Sequence, residues 1–155
     1  MRRNDYLASR IASILLLIPL TVLPAFGRSP SVPAPLPNPV LFLVNSEPYT
    51  VGGTDFIRYN YQVLNYADYP NELFAAAPAL PPCGANPNSS RTWVDIFDQR
   101  GKRLYGFCNL RKDGDLNSIW FGLPVGEIPP SYIYIEMTDR QTNTKYKSNL
   151  ADTVL

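Results

Sequence analysis

The sequence predicts an all-β domain built as an antiparallel β-sandwich of about seven strands. Short β-branched and aromatic segments follow one another from Val40 onward, and clusters of Gly, Pro, Asn and Asp separate them. The 155 residues include seven Phe, two Trp and ten Tyr, which supply enough apolar surface for one core despite 16 prolines. Histidine is absent from the sequence, which excludes Ser-His-Asp and Cys-His catalysis and His-containing zinc sites.

Seven segments have the residue pattern of β-strands. Tyr59, Tyr61 and Val63 alternate with polar residues, so we expect them on one buried face. Pro48 and the Gly52-Gly53 pair interrupt the pattern after the first strand. The predicted strands are 40–44, 56–65, 92–97, 103–109, 117–123, 131–138 and 145–149.

Turn residues connect several of these strands. Those at 98–102 and 139–144 predict two hairpins. Segment 71–78 has the composition of one helical turn, but prolines bracket it closely, which favours a long loop between strands. Seven strands in a chain of this length are typical of an immunoglobulin-like or fibronectin-III-like sandwich.

The first 27 residues have the pattern of a secretory signal peptide. Three arginines come before or at the start of an almost wholly apolar run, 11–26, and Ala25 and Gly27 are small residues that predict cleavage after Gly27. The alternative is a transmembrane anchor. However, the run has 16 residues and two prolines, whereas about 20 residues are needed to span a bilayer. We therefore expect a secreted or periplasmic protein.

The processed chain of 128 residues would carry 11 basic and 12 acidic side chains, a net charge of −1. Nearly balanced, scattered charge argues against nucleic-acid partners and against stable membrane association after signal cleavage. Residues 28–39 contain proline at almost every second position, which favours an extended, stiff tether. The predicted organisation is a signal peptide (1–27), a Pro-rich tether (28–39) and a β-sandwich domain (40–155).

Cys83 and Cys108 are the two cysteines of the chain. In an exported protein, two cysteines predict a disulfide. A loop of about 25 residues closed in this way would stabilise the fold by about 3.5 kcal/mol in the chain-entropy model. The sequence shows neither a C-x-x-C motif nor a sign of a lowered thiol pKa, so the expected role is structural.

Asp113, Asp115 and Asn117 have the D-x-D-x-N spacing of a calcium loop. The remainder of that motif is missing, because Ser118 replaces the glycine at the sixth position and Pro124 replaces the glutamate at the twelfth. A polar turn is the preferred interpretation, with a weak calcium site as the open alternative. We expect no metal and no cofactor.

Four acidic residues on or beside predicted strands raise the hypothesis of a small hydrolase, because glycoside hydrolysis needs two carboxyl groups at a suitable separation. Acidic side chains are also common on solvent-facing strands and turns, and the sequence alone does not give their separation. We therefore expect the protein not to be an enzyme. The four candidates are Asp95, Asp98, Glu136 and Asp139.

Aromatic residues are the other candidates for a site. Tyr132, Tyr134 and Trp120 are expected to bind a protein surface or a sugar ring if they are exposed. The competing interpretation places Trp93 and Trp120 in the core and makes Tyr132 a tyrosine corner, whose hydroxyl binds nearby backbone. Core packing is the preferred interpretation for the tyrosines of the second strand.

Four segments together give the chain its resemblance to a known group. They are Tyr59-x-Tyr61-x-Val63-x-Asn65, Leu80-Pro81-Pro82-Cys83-Gly84, Arg91-Thr92-Trp93-Val94-Asp95 and Tyr105-Gly106-Phe107-Cys108. The chain resembles small exported bacterial proteins of uncharacterised function with an immunoglobulin-like or fibronectin-III-like β-sandwich. The resemblance covers residues 40–149 and implies fold and compartment, without catalytic residues.

The sequence therefore predicts a noncatalytic binding or structural module, stabilised by one disulfide, in the cell envelope or outside the cell. Its expected partner is another envelope or extracellular protein. The first alternative is a carbohydrate-binding module that uses the exposed aromatic residues, and the second is a small hydrolase that uses the carboxylates.

Overall fold

The computed structural model describes residues 35–83 and 89–154, and the strands in this part of the chain are all antiparallel. One sheet has the strand order β1-β2-β5, and the other has the order β4-β3-β6-β7, with β8 also paired to β6. These two sheets confirm the predicted all-β architecture. The strands are β1 (Leu41–Val51), β2 (Thr54–Val63), β3 (Thr92–Asp98), β4 (Arg103–Asn109), β5 (Ile119–Pro124), β6 (Tyr132–Asp139), β7 (Thr144–Lys147) and β8 (Ala151–Asp152).

The core lies between the two sheets and comes from strict alternation along the strands. Tyr59, Tyr61 and Val63 are buried on β2, as predicted. On β6, Ile133 and Ile135 are fully buried, whereas the residues between them are more exposed. Other large buried side chains are Leu41, Leu43, Leu73, Phe74, Val94, Ile96, Leu116, Ile119, Phe121 and Met137.

Two buried tyrosine hydroxyls donate hydrogen bonds to backbone carbonyls. The Tyr61 hydroxyl donates to the Asp152 carbonyl at 3.1 Å, and the Tyr69 hydroxyl donates to the Pro37 carbonyl at 2.8 Å. Burial raises the pKa of both phenols, so both remain neutral donors. Tyr132, the candidate for a tyrosine corner in the competing interpretation, is 43% exposed.

β1 is longer than the sequence predicts. The strand continues past a bulge between Leu43 and Asn45 and through Pro48, which lies opposite Ile57. Proline is tolerated here because β1 is an edge strand, where a missing N–H need not remove a ladder hydrogen bond. The β1–β2 turn contains Gly52 and Gly53, both with positive φ, which suits a two-residue hairpin.

Helical structure is confined to short turns in the described ranges. Two single 3-10 turns, Tyr66–Asp68 and Asn71–Phe74, lie in the long connection between β2 and β3. A five-residue helix, α1 (Lys112–Leu116), occupies the predicted polar turn. None of these helices is long and apolar enough to cross a membrane.

The last residues of the Pro-rich segment are bonded to the sandwich. In addition to the Tyr69–Pro37 bond, the Asn65 amide donates to the Asn38 carbonyl at 3.1 Å, and its oxygen accepts from the Val40 N–H at 2.8 Å. The predicted signal peptide (1–27) and the first part of the tether lie outside the described residues.

Candidate functional site between two edge strands

The disulfide predicted between Cys83 and Cys108 is present, with a Cα–Cα distance of 5.7 Å. It ties the end of a Pro-rich loop to β4. Cys83 is buried, and Cys108 is half-buried beside a groove that runs between two edge strands. The confirmed disulfide therefore lies beside this groove.

β4 and β5 are the outer strands of different sheets. In the described part of the chain, β4 pairs with β3 alone and β5 pairs with β2 alone, so each strand presents an unpaired edge. These edges flank two pockets of about 200 and 380 Å³, and Tyr105 and Trp120 line both pockets. We call these two adjoining pockets the β4–β5 groove.

Three aromatic side chains form the wall of the β4–β5 groove, and we call them the aromatic ledge (Tyr49, Tyr105 and Trp120). The rings of Tyr105 and Trp120 stack at a centroid distance of 6.2 Å, and Tyr49 meets Trp120 edge to face at 6.0 Å. Tyr105 is 49% exposed and Trp120 is 38% exposed. The ledge thus leaves large apolar surface open beside unpaired strand edges.

Arg58 orients the aromatic ledge from the outer face of β2. Its guanidinium carbon lies 5.8 Å from the Tyr49 ring centroid and 5.7 Å from that of Trp120. The same guanidinium forms an ion pair with Glu47. Hydrogen bonds from Arg58 and Asn60 lower the pKa of Glu47, so the pair stays charged at neutral pH.

Gly122 on β5 makes room for Tyr49. A Cβ atom at position 122 would lie 3.1 Å from the Tyr49 ring. Tyr49 is on β1, so its side chain reaches across β2 to contact β5, and a larger residue at position 122 would push the ring away. The glycine therefore permits an aromatic side chain from one edge strand to reach the groove at the other.

The predicted binding residues do not share one surface. Trp120 lies outside the core and belongs to the aromatic ledge, whereas Tyr132 and Tyr134 are on the outer face of β6 in the other sheet. Tyr134 stacks on Phe97 at 5.2 Å, and the Lys147 ammonium lies 4.0 Å from its ring centroid. Sequence reasoning missed Tyr49 and Tyr105.

The carboxylates of β3 and β6 are engaged in salt bridges. Asp95 accepts hydrogen bonds from Trp93 Nε1 at 2.8 Å and from Arg103 Nε at 2.5 Å. Glu136 lies directly opposite Asp95 and is paired with Lys145 at 2.6 Å. A Cβ atom on Gly106 would collide with the Asp95–Arg103 pair, so the missing side chain gives this ion pair its space.

The other two carboxylates hold turns. Asp98 accepts the N–H groups of Arg100 and Lys102 at 2.9 and 2.8 Å, which closes the β3–β4 turn. Asp139 receives two hydrogen bonds from Arg91, at 2.8 and 2.7 Å, and these bonds lower its pKa to about 2. A general acid for glycoside hydrolysis needs a raised pKa instead, so Asp139 does not suit that role.

The D-x-D-x-N segment is organised by its second aspartate. Asp115 Oδ2 accepts the N–H groups of Leu110 at 2.7 Å and Arg111 at 2.9 Å. Among residues 35–83 and 89–154, no three carboxylate or cysteine side chains cluster as metal ligands would. These hydrogen bonds account for Asp115 as the residue that closes the turn.

Comparison with protein-family models, with curated proteins and with solved structures finds no match to this chain. The basis for a functional proposal is therefore the geometry of the chain itself. That geometry combines a two-sheet β fold, one disulfide and an aromatic groove between two unpaired strand edges.

Proposed function

We propose that this protein is an exported, noncatalytic binding module whose β4–β5 groove receives an extended segment of a partner protein. The observation that carries the proposal is the aromatic ledge between two unpaired strand edges. An extended polypeptide uses both features, because its backbone can pair with a strand edge while its alternate side chains pack on the rings.

The strand order supports a fibronectin-III-like arrangement within this proposal. β1–β2 and β3–β4 are hairpins, then β5 returns to pair with β2, and β6 returns to pair with β3. These crossings give a Greek-key sandwich whose two sheets have the orders β1-β2-β5 and β4-β3-β6-β7. Domains of this kind commonly present loops and strand edges to partners.

Export is the second part of the proposal. Its support is the apolar run in residues 1–27 and the disulfide, since such bonds persist in oxidising compartments. We expect the purified exported chain to begin at Arg28. Retention of residues 1–27 would contradict the secreted or periplasmic location.

A protein segment is favoured over a sugar because the ring of Trp120 is already engaged. The Arg58 guanidinium lies near the Trp120 ring, and the Tyr105 ring stacks against Trp120. Sugar stacking requires an open aromatic face. The exposed ring of Tyr132 supports the second candidate, a carbohydrate-binding module on the outer face of β6. The two candidates thus depend on different sheets.

Peptide selection tests the proposal. We would select peptides from a random display library on the full oxidised chain and measure their affinities by calorimetry. Trp120→Ala should weaken binding about tenfold or more, because truncating an aromatic anchor typically costs 1–2 kcal/mol or more. Tyr132→Ala is the matched control, and its affinity should be unchanged.

Two further results separate the candidates. Methylation of alternate backbone amides in a selected peptide should abolish binding if the peptide pairs with a strand edge. Polysaccharide binding that is lost with Tyr132→Ala and kept with Trp120→Ala would instead establish the carbohydrate candidate and overturn the groove proposal.

A further inference from the structure

The disulfide contacts an arginine from the distant β6–β7 turn. Arg140 Nη1 lies 3.0 Å from Cys83 Sγ and 3.9 Å from Cys108 Sγ. Arg140 also donates to the Ser90 carbonyl at 2.9 Å and to the Pro81 carbonyl at 2.7 Å. The guanidinium is thus held against the sulfur atoms by neutral backbone groups.

The two sulfur atoms are not equivalent. Cys83 Sγ receives both the short contact from Arg140 and a hydrogen bond from the Ser90 N–H at 3.3 Å, whereas among the described residues Cys108 Sγ receives the longer contact alone. A cation and an N–H donor both stabilise a thiolate. Cys83 is therefore the better leaving group of the pair.

The positive charge of Arg140 remains available for this purpose. In the described part of the chain, Arg140 forms no ion pair with a carboxylate. The carboxylate next to it in sequence, Asp139, is directed to Arg91 by two hydrogen bonds. The positively charged guanidinium of Arg140 consequently faces the buried sulfur of Cys83.

The two cysteines also differ in their exposure. Cys108 lines the smaller pocket of the β4–β5 groove together with Tyr105, Phe107 and Trp120, whereas Cys83 is only 5% exposed. A thiolate that enters the groove would therefore meet Cys108 first. The more exposed cysteine is Cys108, and the better leaving group is Cys83. This difference favours attack of an external thiolate at Cys108.

We propose that the Cys83–Cys108 bond is a redox-active site that exchanges with an external dithiol through the β4–β5 groove. One thiolate of the dithiol attacks Cys108 Sγ and forms a mixed disulfide, and the electron pair of the broken bond leaves on Cys83. The second thiolate of the dithiol attacks its own bonded sulfur and releases Cys108 as a thiolate. The dithiol is oxidised to a disulfide, and the protein gains two electrons and takes up protons from solvent.

The exchange would use the same groove as the proposed partner segment but does not require that partner, and reduction kinetics of the protein alone test it. We would reduce the full oxidised chain with dithiothreitol, quench with acid, alkylate the free thiols and follow the reaction by mass. Arg140→Gln should slow the reduction about tenfold, because the Cys83 thiolate loses its cation. Arg100→Gln, in the exposed β3–β4 turn, is the matched control and should react at the wild-type rate.

The direction of the effect distinguishes a chemical role from a structural one. Arg140→Gln also removes the bonds to Pro81 and Ser90, and a loosened loop would expose the disulfide and speed its reduction. A slower reaction therefore supports the proposal, and an equal or faster reaction overturns it.

The position of attack gives a second test, which needs only the wild-type chain. Glutathione, a monothiol, should be trapped on Cys108 while Cys83 is alkylated in the same molecule. Peptide mapping that finds glutathione on Cys83 instead would contradict the proposed order of events.

Discussion

Among single residues, Asp139 shows how one carboxylate can hold the end of a sheet. Its oxygens accept two hydrogen bonds from Arg91 and others from Thr142 and the Gln141 N–H. Each bond favours the charged form of the carboxyl group, which is why the pKa lies at about 2 although the side chain is buried. Asp139 therefore links β6, the β6–β7 turn and the segment before β3.

This lowered pKa predicts acid sensitivity. The unfolded chain binds a proton to Asp139 more readily than the folded chain, so its contribution to stability is complete above about pH 4 and is lost as the pH falls toward 2. The shift corresponds to about 2 kcal/mol. Urea unfolding at pH 6, 4, 3 and 2 measures it.

Asp139→Asn should be less stable at pH 6 by about 2–3 kcal/mol, because Arg91 loses its partner. Its stability should also depend less on pH between 4 and 2. Asp113→Asn, at an exposed position, is the control and should follow the wild-type profile. The same pH dependence in the wild type and in Asp139→Asn would contradict the assignment.

Among the strands and turns, most elements are predictable because the local signals agree. The alternation of Tyr59, Tyr61 and Val63 predicts the buried face of β2, and the polar residues at 98–102 predict the β3–β4 hairpin. β8 is not predicted, and β1 is longer than predicted. Pro48 normally indicates the end of a strand, and only the strand order, which places β1 at an edge, explains its presence within one.

Replacing glycine by alanine should have opposite effects on stability at two positions. Gly101 in the β3–β4 turn has φ of 82°, so Gly101→Ala should destabilise the domain by about 1 kcal/mol. Gly114 lies inside α1, where alanine is the better residue, and its nearest neighbour is the flexible Arg111 side chain. Gly114→Ala should therefore stabilise by about 0.5 kcal/mol.

Denaturant unfolding of both variants checks this pair. The wild type and the two alanine variants should give the same denaturant slope, since the surface exposed on unfolding is unchanged. Equal effects of the two substitutions would contradict the backbone geometry of the β3–β4 turn.

In the whole molecule, the disulfide is the long-range constraint that the sequence predicts correctly. Cys108→Ser should lower the free energy of unfolding by about 3 kcal/mol and the Tm by about 10 °C or more, because the unfolded chain loses a closed loop. Calorimetry under non-reducing conditions measures the change. An unchanged Tm would show that the bond contributes nothing to stability.

The candidate site is much less predictable than the fold. Trp120 is a candidate from sequence alone, but its neighbours Tyr49 and Tyr105 come from strands 71 and 15 positions away in the chain. Tyr105 meets Trp120 because edge strands of two different sheets adjoin, whereas Tyr49 reaches Trp120 across β2 within one sheet. The local sequence pattern does not give this strand order. The contact of Arg140 with the disulfide depends on tertiary structure in the same way.

The most direct test of the central claim is site-specific photo-crosslinking in the intact exported chain. A photoreactive phenylalanine would replace Tyr105 in the β4–β5 groove or Tyr132 on the outer face of β6. We expect adducts from position 105 that map to one extended segment of a partner protein and disappear with Trp120→Ala. Adducts from position 132 alone, or adducts from position 105 that persist with Trp120→Ala, would contradict binding in the groove.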